Sequence, residues 1–431
     1  SEFVKHVLVF LSMFANINKI VLLKINIMRA KFLFLLFGLF FSVCQASILP
    51  LPLSGAFKTL PTLNNMPNKD VQSIYQDKDG YIWISTRNGL FQYDGYSITS
   101  YNSNLYSPDL LTNNNIFCTA EDGNHRLWIG TYSGMNVLDK QTGIIRKLNN
   151  PELDGNGVSS ILVTRNNRIW FGTERGLLEY LVDKDSCLLY RPENTNQVFP
   201  YTTVKSLFED DRGDIWIGTW NNGLFRYEQS TGRFLKYPQM NSGNSAHVVF
   251  QDSYKHIWVG TWGSGLQLLH NAYDPERVSW TTFQHDDKYP ASISDNLVYA
   301  ISEDVVNRSL WVGTRSGLSV LSLQQELTAT VSYNNYYSDV DYAIASDEVT
   351  SLMRDRQGIL WIGMIGGGVN MVNTRKADFV LDALPQVKQK LKTNSVRSML
   401  VDDEGLLWLG IGTNGFGVEN RENGSFTHFT Q

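Results

Sequence analysis

Apolar and polar positions along this chain alternate in short runs that return on a regular beat. Val71-Gln72-Ser73-Ile74 is one such run and Tyr81-Ile82-Trp83-Ile84 is the next, with Asp77-Lys78-Asp79-Gly80 between them. The runs are β-branched or aromatic and too short for a helix, so they predict strand, tight turn, strand. The tetrad carries the turn chemistry: an aspartate accepts from backbone N–H groups two residues on, and Gly80 tolerates a positive φ. A third strand is expected after Gly89, through Leu90-Phe91-Gln92-Tyr93. A fourth follows a further glycine, as in Gly232-Arg233-Phe234-Leu235-Lys236-Tyr237.

The unit recurs. Trp83, Trp128, Trp170, Trp216, Trp258, Trp311, Trp361 and Trp408 share one position, at intervals of 45, 42, 46, 42, 53, 50 and 47 residues. An aspartate stands six residues earlier in six copies (Asp77, Asp122, Asp210, Asp252, Asp355, Asp402). Asp304 is displaced by one residue, and Thr164 takes the place in the third copy. Four antiparallel strands per period of this length predict an all-β chain, a β-propeller of seven to eight four-stranded blades. A lone blade cannot bury both faces, so one large side chain per blade is needed to fill the gap to the next. That scaffold role accounts for all eight tryptophans.

The flanks refine the boundaries. Residues 1–27 read as an upstream leader or an added segment. Residues 28–46 read as a signal peptide: Met28, basic Arg29 and Lys31, an apolar run from Phe32 to Phe41, and cleavage after Ala46. A membrane anchor built from residues 1–46 is the weaker reading. Residues 47–431 then hold eight repeats, read as one ring of eight or, preferably, seven blades plus the first blade of a second propeller. Phe57-Lys58-Thr59-Leu60 is expected as a lone strand that completes the last blade and removes an exposed edge. Ala383 to Asn394 is expected as a short helical turn. The stop just after the strand Gly424 to Phe429 suggests truncation.

Charge and cysteine usage narrow the partners. The net charge is −5 at pH 7 and no basic patch is present, which argues against nucleic acid. Only Cys118 and Cys187 would survive cleavage, too few for a disulfide framework. Seven histidines show no metal-ligand spacing. Asp77-Lys78-Asp79-Gly80 begins like a calcium loop but lacks the distal glutamate. Gly410-Ile411-Gly412-Thr413-Asn414-Gly415 matches a dinucleotide-binding pattern, which requires a following helix; Phe416-Gly417-Val418 is expected to be strand instead. No cofactor and no catalytic residue is therefore assigned.

The repeat Asp-x-x-Gly-x-[Ile/Leu]-Trp-Ile-Gly-Thr-x-x-Gly-Leu resembles the two-component regulator propeller repeat, across roughly Phe57 to Phe429. The resemblance implies the periplasmic sensor region of an inner-membrane protein. A histidine kinase or diguanylate cyclase would lie beyond residue 431, and the full-length protein would be a homodimer. It also implies an oligosaccharide or other small extracellular ligand. The repeat core resembles the Asp-box of sialidase-type propellers too, which leaves a secreted glycosidase or lyase as the alternative, with a protein-interaction scaffold as a third reading.

For the ligand, the residue after the repeat's threonine is free of the scaffold pattern. It is Arg87, Tyr132, Glu174, Trp220, Trp262 and Arg315 in the first six copies. If the connector after the tryptophan strand shares a face with the connector leading into each blade, these six ring one face. Aromatic rings stack on sugars and arginines fork to carboxylates or sulfates. Packing between blades is the competing role for them.

Overall fold

The computed structural model describes residues 57–59, 63, 66–103, 111–196, 198–238, 245–274, 276–323, 333–338, 344–374, 396–410, 415–420 and 425–429. The leader, the signal peptide, the turn expected at Ala383 to Asn394 and the centre of the Gly410–Gly415 pattern lie outside these residues. The chain divides into two units, residues 1–374 and 375–431.

The first unit holds seven antiparallel sheets, each a consecutive meander. Their first strands are Val71–Gln76, Ile116–Glu121, Val158–Val163, Val204–Glu209, Ala246–Gln251, Val298–Asp304 and Val349–Arg354. Each first strand neighbours the next, and the seventh neighbours the first, so the ring closes at seven. Ile74 N–H donates to Ser351 Oγ at 3.0 Å and Thr350 Oγ1 to the Val71 carbonyl at 2.6 Å across the closing seam. The seventh sheet has three strands of its own. Lys58 adds the outer pairing, exchanging both backbone hydrogen bonds with Met371 at 2.9 and 2.8 Å. The lead-in thus pairs with the last blade at this one bridge.

The tryptophans pack forward. Trp128 of blade two lies with Ile169, Phe171 and Leu178 of blade three. Trp216 of blade four lies with Ile257 and Val259 of blade five. Trp361 of blade seven lies with Ile82, Ile84 and Phe91 of blade one. The repeat's Ile-Gly-Thr makes room for this contact. A Cβ on Gly363 would stand 2.6 Å from Val71 Cγ1, and one on Gly218 2.7 Å from the Ala246 carbonyl.

The repeat aspartate does more than turn the chain. Asp77 Oδ1 accepts from Asp79 N–H and Tyr81 N–H, while Oδ2 accepts from Trp83 Nε1 at 2.8 Å. The same indole bond recurs from Trp128, Trp216, Trp258, Trp361 and Trp408. In blade six, where the aspartate is displaced, Trp311 donates to Ser309 Oγ instead. In blade three, with Thr164, the buried Trp170 Nε1 has no partner.

The second unit's sheet comprises Ser398–Val401, Leu406–Gly410, Phe416–Asn420 and Ser425–Phe429. Phe416–Asn420 is a strand, so the dinucleotide pattern lacks its helix. Among the described residues, no helix is long and apolar enough to cross a membrane.

Candidate site on the bulged rim of the ring

Each first strand of the ring has two ends. The far end runs into the aspartate turn. The near end carries a β-bulge at its second residue in all seven blades: Gln72, Phe117, Ser159, Lys205, His247, Tyr299 and Thr350. A bulge frees one side chain from the pleat and re-aims it.

Beside each bulge stands the residue that follows the second strand. Its N–H donates to the carbonyl just before the first strand: Arg87 to Asp70, Tyr132 to Asn115, Glu174 to Gly157, Trp220 to Thr203, Trp262 to Ser245 and Arg315 to Leu297, all at 2.9–3.2 Å. Ile365 makes the same bond to Glu348 in blade seven. All six residues singled out from the sequence therefore occupy equivalent places on one rim. Five are exposed and Trp220 is half-buried.

The rim is not uniform. In blades one, three and seven the bulged side chain bonds to the next blade: Gln72 Nε2 to Asn115 Oδ1, Ser159 Oγ to the Val204 carbonyl, Thr350 Oγ1 to the Val71 carbonyl. In blade two, Phe117 meets Tyr132 edge to face at 6.2 Å. Blades four to six carry an aromatic cluster, although Tyr299 of blade six also bonds to the next blade. Trp220 and Trp262 meet edge to face at 5.2 Å, and His247 lies 5.6 Å from Trp262 and 5.5 Å from Tyr299. Lys205 Nζ sits 5.5 Å from the Trp220 ring. Tyr299 Oη donates to Glu348 Oε1 at 3.3 Å.

The electrostatics of this sector are unusual. Burial holds the His247 imidazole at a pKa of about 4, with the Lys205 charge adding to the effect. Its buried Nδ1 has no hydrogen-bond partner. Burial also lowers the pKa of Lys205, against the pull of Glu174. Lys205 makes no ion pair among the described residues. Burial raises Tyr299 to about 12, with Glu348 contributing. Sequence reasoning missed Lys205, His247 and Tyr299. Their signal is a large or charged residue second in an otherwise small or β-branched strand: Val204-Lys205-Ser206, Ala246-His247-Val248, Val298-Tyr299-Ala300.

At the turn end of the strands, Asp79, Glu121 and His125 bring ligand atoms within 4.8 Å of one another. Lys140 Nζ already fills the centre, 2.5 Å from Asp79, 2.8 Å from Asp77 and 3.2 Å from Glu121. Burial opposes the Lys140 charge, but the carboxylates outweigh it and raise its pKa. The cluster joins blades one and two, with Lys140 as the cation that its carboxylates hold.

Five segments, residues 65–88, 110–133, 152–175, 199–221 and 343–366, match the family described as Two component regulator propeller. These are regulator-propeller repeats. Among solved structures, the extracellular domain of a hybrid two-component system of B. thetaiotaomicron is similar at TM-score 0.62 and 22% identity, over 87% of this chain and 49% of that one. A second such domain from the same organism gives TM-score 0.60 at 21% identity, over 88% and 48%. Virginiamycin B lyase of Staphylococcus aureus gives TM-score 0.56 at 15% identity, over 74% and 99%. A curated relative, Histidine kinase P4 of Formosa agariphila, is 26% identical over 44% of this chain and 18% of its own length. The chain thus spans about half of the sensor structures and less than a fifth of the kinase. At these identities the structural likenesses carry the fold alone.

Proposed function

We propose that this chain is the ligand-sensing propeller region of a membrane-bound, two-component-type signalling protein. It is exported to the periplasm and binds an oligosaccharide or other small ligand without catalysis. The observation that carries the reading is the bulged rim. Seven equivalent places hold dissimilar, mostly exposed side chains, while the opposite strand ends repeat one scaffold chemistry. Sites are grafted on folds where the scaffold does not dictate the residue. The likeness to sensor domains and to a histidine kinase supports the signalling role. Differential affinity for two arrangements of paired sensors would shift the transmembrane output. Kinase or cyclase output, inner-membrane anchoring and homodimerisation belong to this reading.

The second unit is read as the start of a second propeller. Met399, Leu400 and Val401 are 72%, 65% and 56% exposed, and Trp408 is only half-buried. Gly410 keeps the bare position that admits a neighbouring blade, yet among the described residues the atoms nearest to a Cβ there belong to Ser398 of its own sheet. A following blade supplies the missing cover.

The test is calorimetry of the purified chain against neutral and charged oligosaccharides. Trp220→Ala with Trp262→Ala is expected to abolish binding while the thermal unfolding midpoint holds. Unchanged affinity sinks the site. Turnover of any glycan would instead favour the reading as a secreted glycosidase or lyase.

A further inference from the structure

The sector of blades four to six has two groups with no scaffold duty. Lys205 is a partly desolvated ammonium with an aromatic ring beside it and no carboxylate paired to it among the described residues. His247 has a buried ring nitrogen with no partner. Both cost free energy in the empty protein, because an unpaired buried polar group loses its hydration without compensation. Scaffold needs explain neither: at the same bulge, Gln72, Ser159 and Thr350 bond neatly to the next blade. Trp220 and Trp262 form an aromatic corner between the two, with Trp262 42% exposed.

We propose that this sector binds a saccharide through a carboxylate, a uronate-type sugar. The inference rests on the oligosaccharide reading above and adds the charge and the contacts. Lys205 takes the carboxylate in a charge-assisted hydrogen bond, which is stronger where water is excluded. The exposed face of Trp262 packs against the apolar face of the sugar ring. His247, neutral at physiological pH, packs beside Trp262 and shapes the corner without placing a second cation next to Lys205. A neutral sugar would leave the ammonium desolvated and unpaired, so the site discriminates by charge. The remaining rim residues are not required.

The test uses the purified full chain and tryptophan fluorescence, backed by calorimetry. The probes are tetragalacturonate, its methyl ester, tetramannuronate, a hyaluronan tetrasaccharide and cellotetraose. At least one uronate is expected to bind and to change the fluorescence. Its neutral counterpart is expected to bind about tenfold or more weakly, the worth of one charge-assisted bond. Lys205→Met should erase that difference, Lys205→Arg should keep most of it, and Trp262→Ala should weaken acid and ester alike. Equal binding of acid and ester, or discrimination that survives Lys205→Met, overturns the carboxylate site while the oligosaccharide reading stands. No response to any saccharide overturns both.

Discussion

The two ends of the ring's first strands solve opposite problems with the same residue types. At the turn end, nearly every charge is matched. Lys78 N–H donates to Glu121, Asp211 N–H to Gln251 and Ser253 N–H to Glu303, each in the following blade. Arg356 of blade seven reaches the Asp77 and Lys78 carbonyls of blade one. At the bulged end, four of seven side chains are stitched in the same way, but Lys205 and His247 Nδ1 are left unpaired among the described residues. Buried unpartnered atoms occur in other blades too, Trp170 Nε1 and Arg226 Nε among them, but Lys205 and His247 share one rim sector with the Trp220 and Trp262 rings. That conjunction of an unpaired cation with exposed aromatic surface, rather than the lapse alone, marks the sector as a candidate site.

The comparison is most severely tested at Lys140, the lysine of the matched end. Its side chain is 10% exposed, and the side chains of Asp77 and Glu121 are fully buried. Lys140→Met leaves two buried carboxylates without their cation. The expected cost is about 3 kcal/mol, by analogy with broken buried pairs, read as a fall in the denaturant midpoint at constant slope. A change near zero would mean that the turn end is not held by its charges, and the contrast between the rims would lose its basis.

A second test acts at the bulged end through pH. His247 titrates near 4 in the folded chain against 6.5 when free. Between these values the unfolded chain holds the proton and the folded chain does not, so stability rises with pH. The contribution is complete above pH 6.5 and is lost as the pH falls towards 4, at roughly 1.4 kcal/mol per pH unit and roughly 3 kcal/mol in all. Carboxylates titrate in the same window, so the measure is the difference between wild type and His247→Gln. The variant should show the shallower loss between pH 6.5 and 4. Parallel curves would place the imidazole in water.

Much of the architecture was legible because the repeat writes it many times over. Eight tryptophans on one beat gave the blade, while of the closing strand expected at Phe57 to Leu60 the described residues show a single bridge, Lys58 to Met371. The role of the aspartate was only half legible. Its turn chemistry follows from Asp-x-x-Gly, but its bond to the indole six residues on depends on how the second strand folds back. Trp170, left without that acceptor by Thr164, shows what the position does. The six rim residues were found because the scaffold pattern leaves their place free. Lys205, His247 and Tyr299 were not, because a bulge is a register fact: one residue's slip decides which face a side chain takes. Nor could the sequence tell that Glu348, just before the first strand of blade seven, would meet the Tyr299 hydroxyl of blade six.

The smallest effect gives the sharpest contrast, because it reverses the sign of the first. Lys205→Met makes the same chemical change as Lys140→Met, a lysine exchanged for an uncharged chain of similar reach. At Lys205 no buried carboxylate is stranded by the loss. The ammonium is partly desolvated, with the Trp220 ring beside it and the exposed Glu174 pulling in its favour without an ion pair among the described residues. Removing the charge should therefore be neutral or stabilising, by up to about 1 kcal/mol, measured as a rise in the thermal midpoint without ligand. The same variant is expected to lose discrimination for the carboxylate sugar. Stability gained with binding lost is the signature of a residue kept for its ligand. A destabilised Lys205→Met variant would instead return the lysine to the scaffold, and with it the reading of this sector as a site.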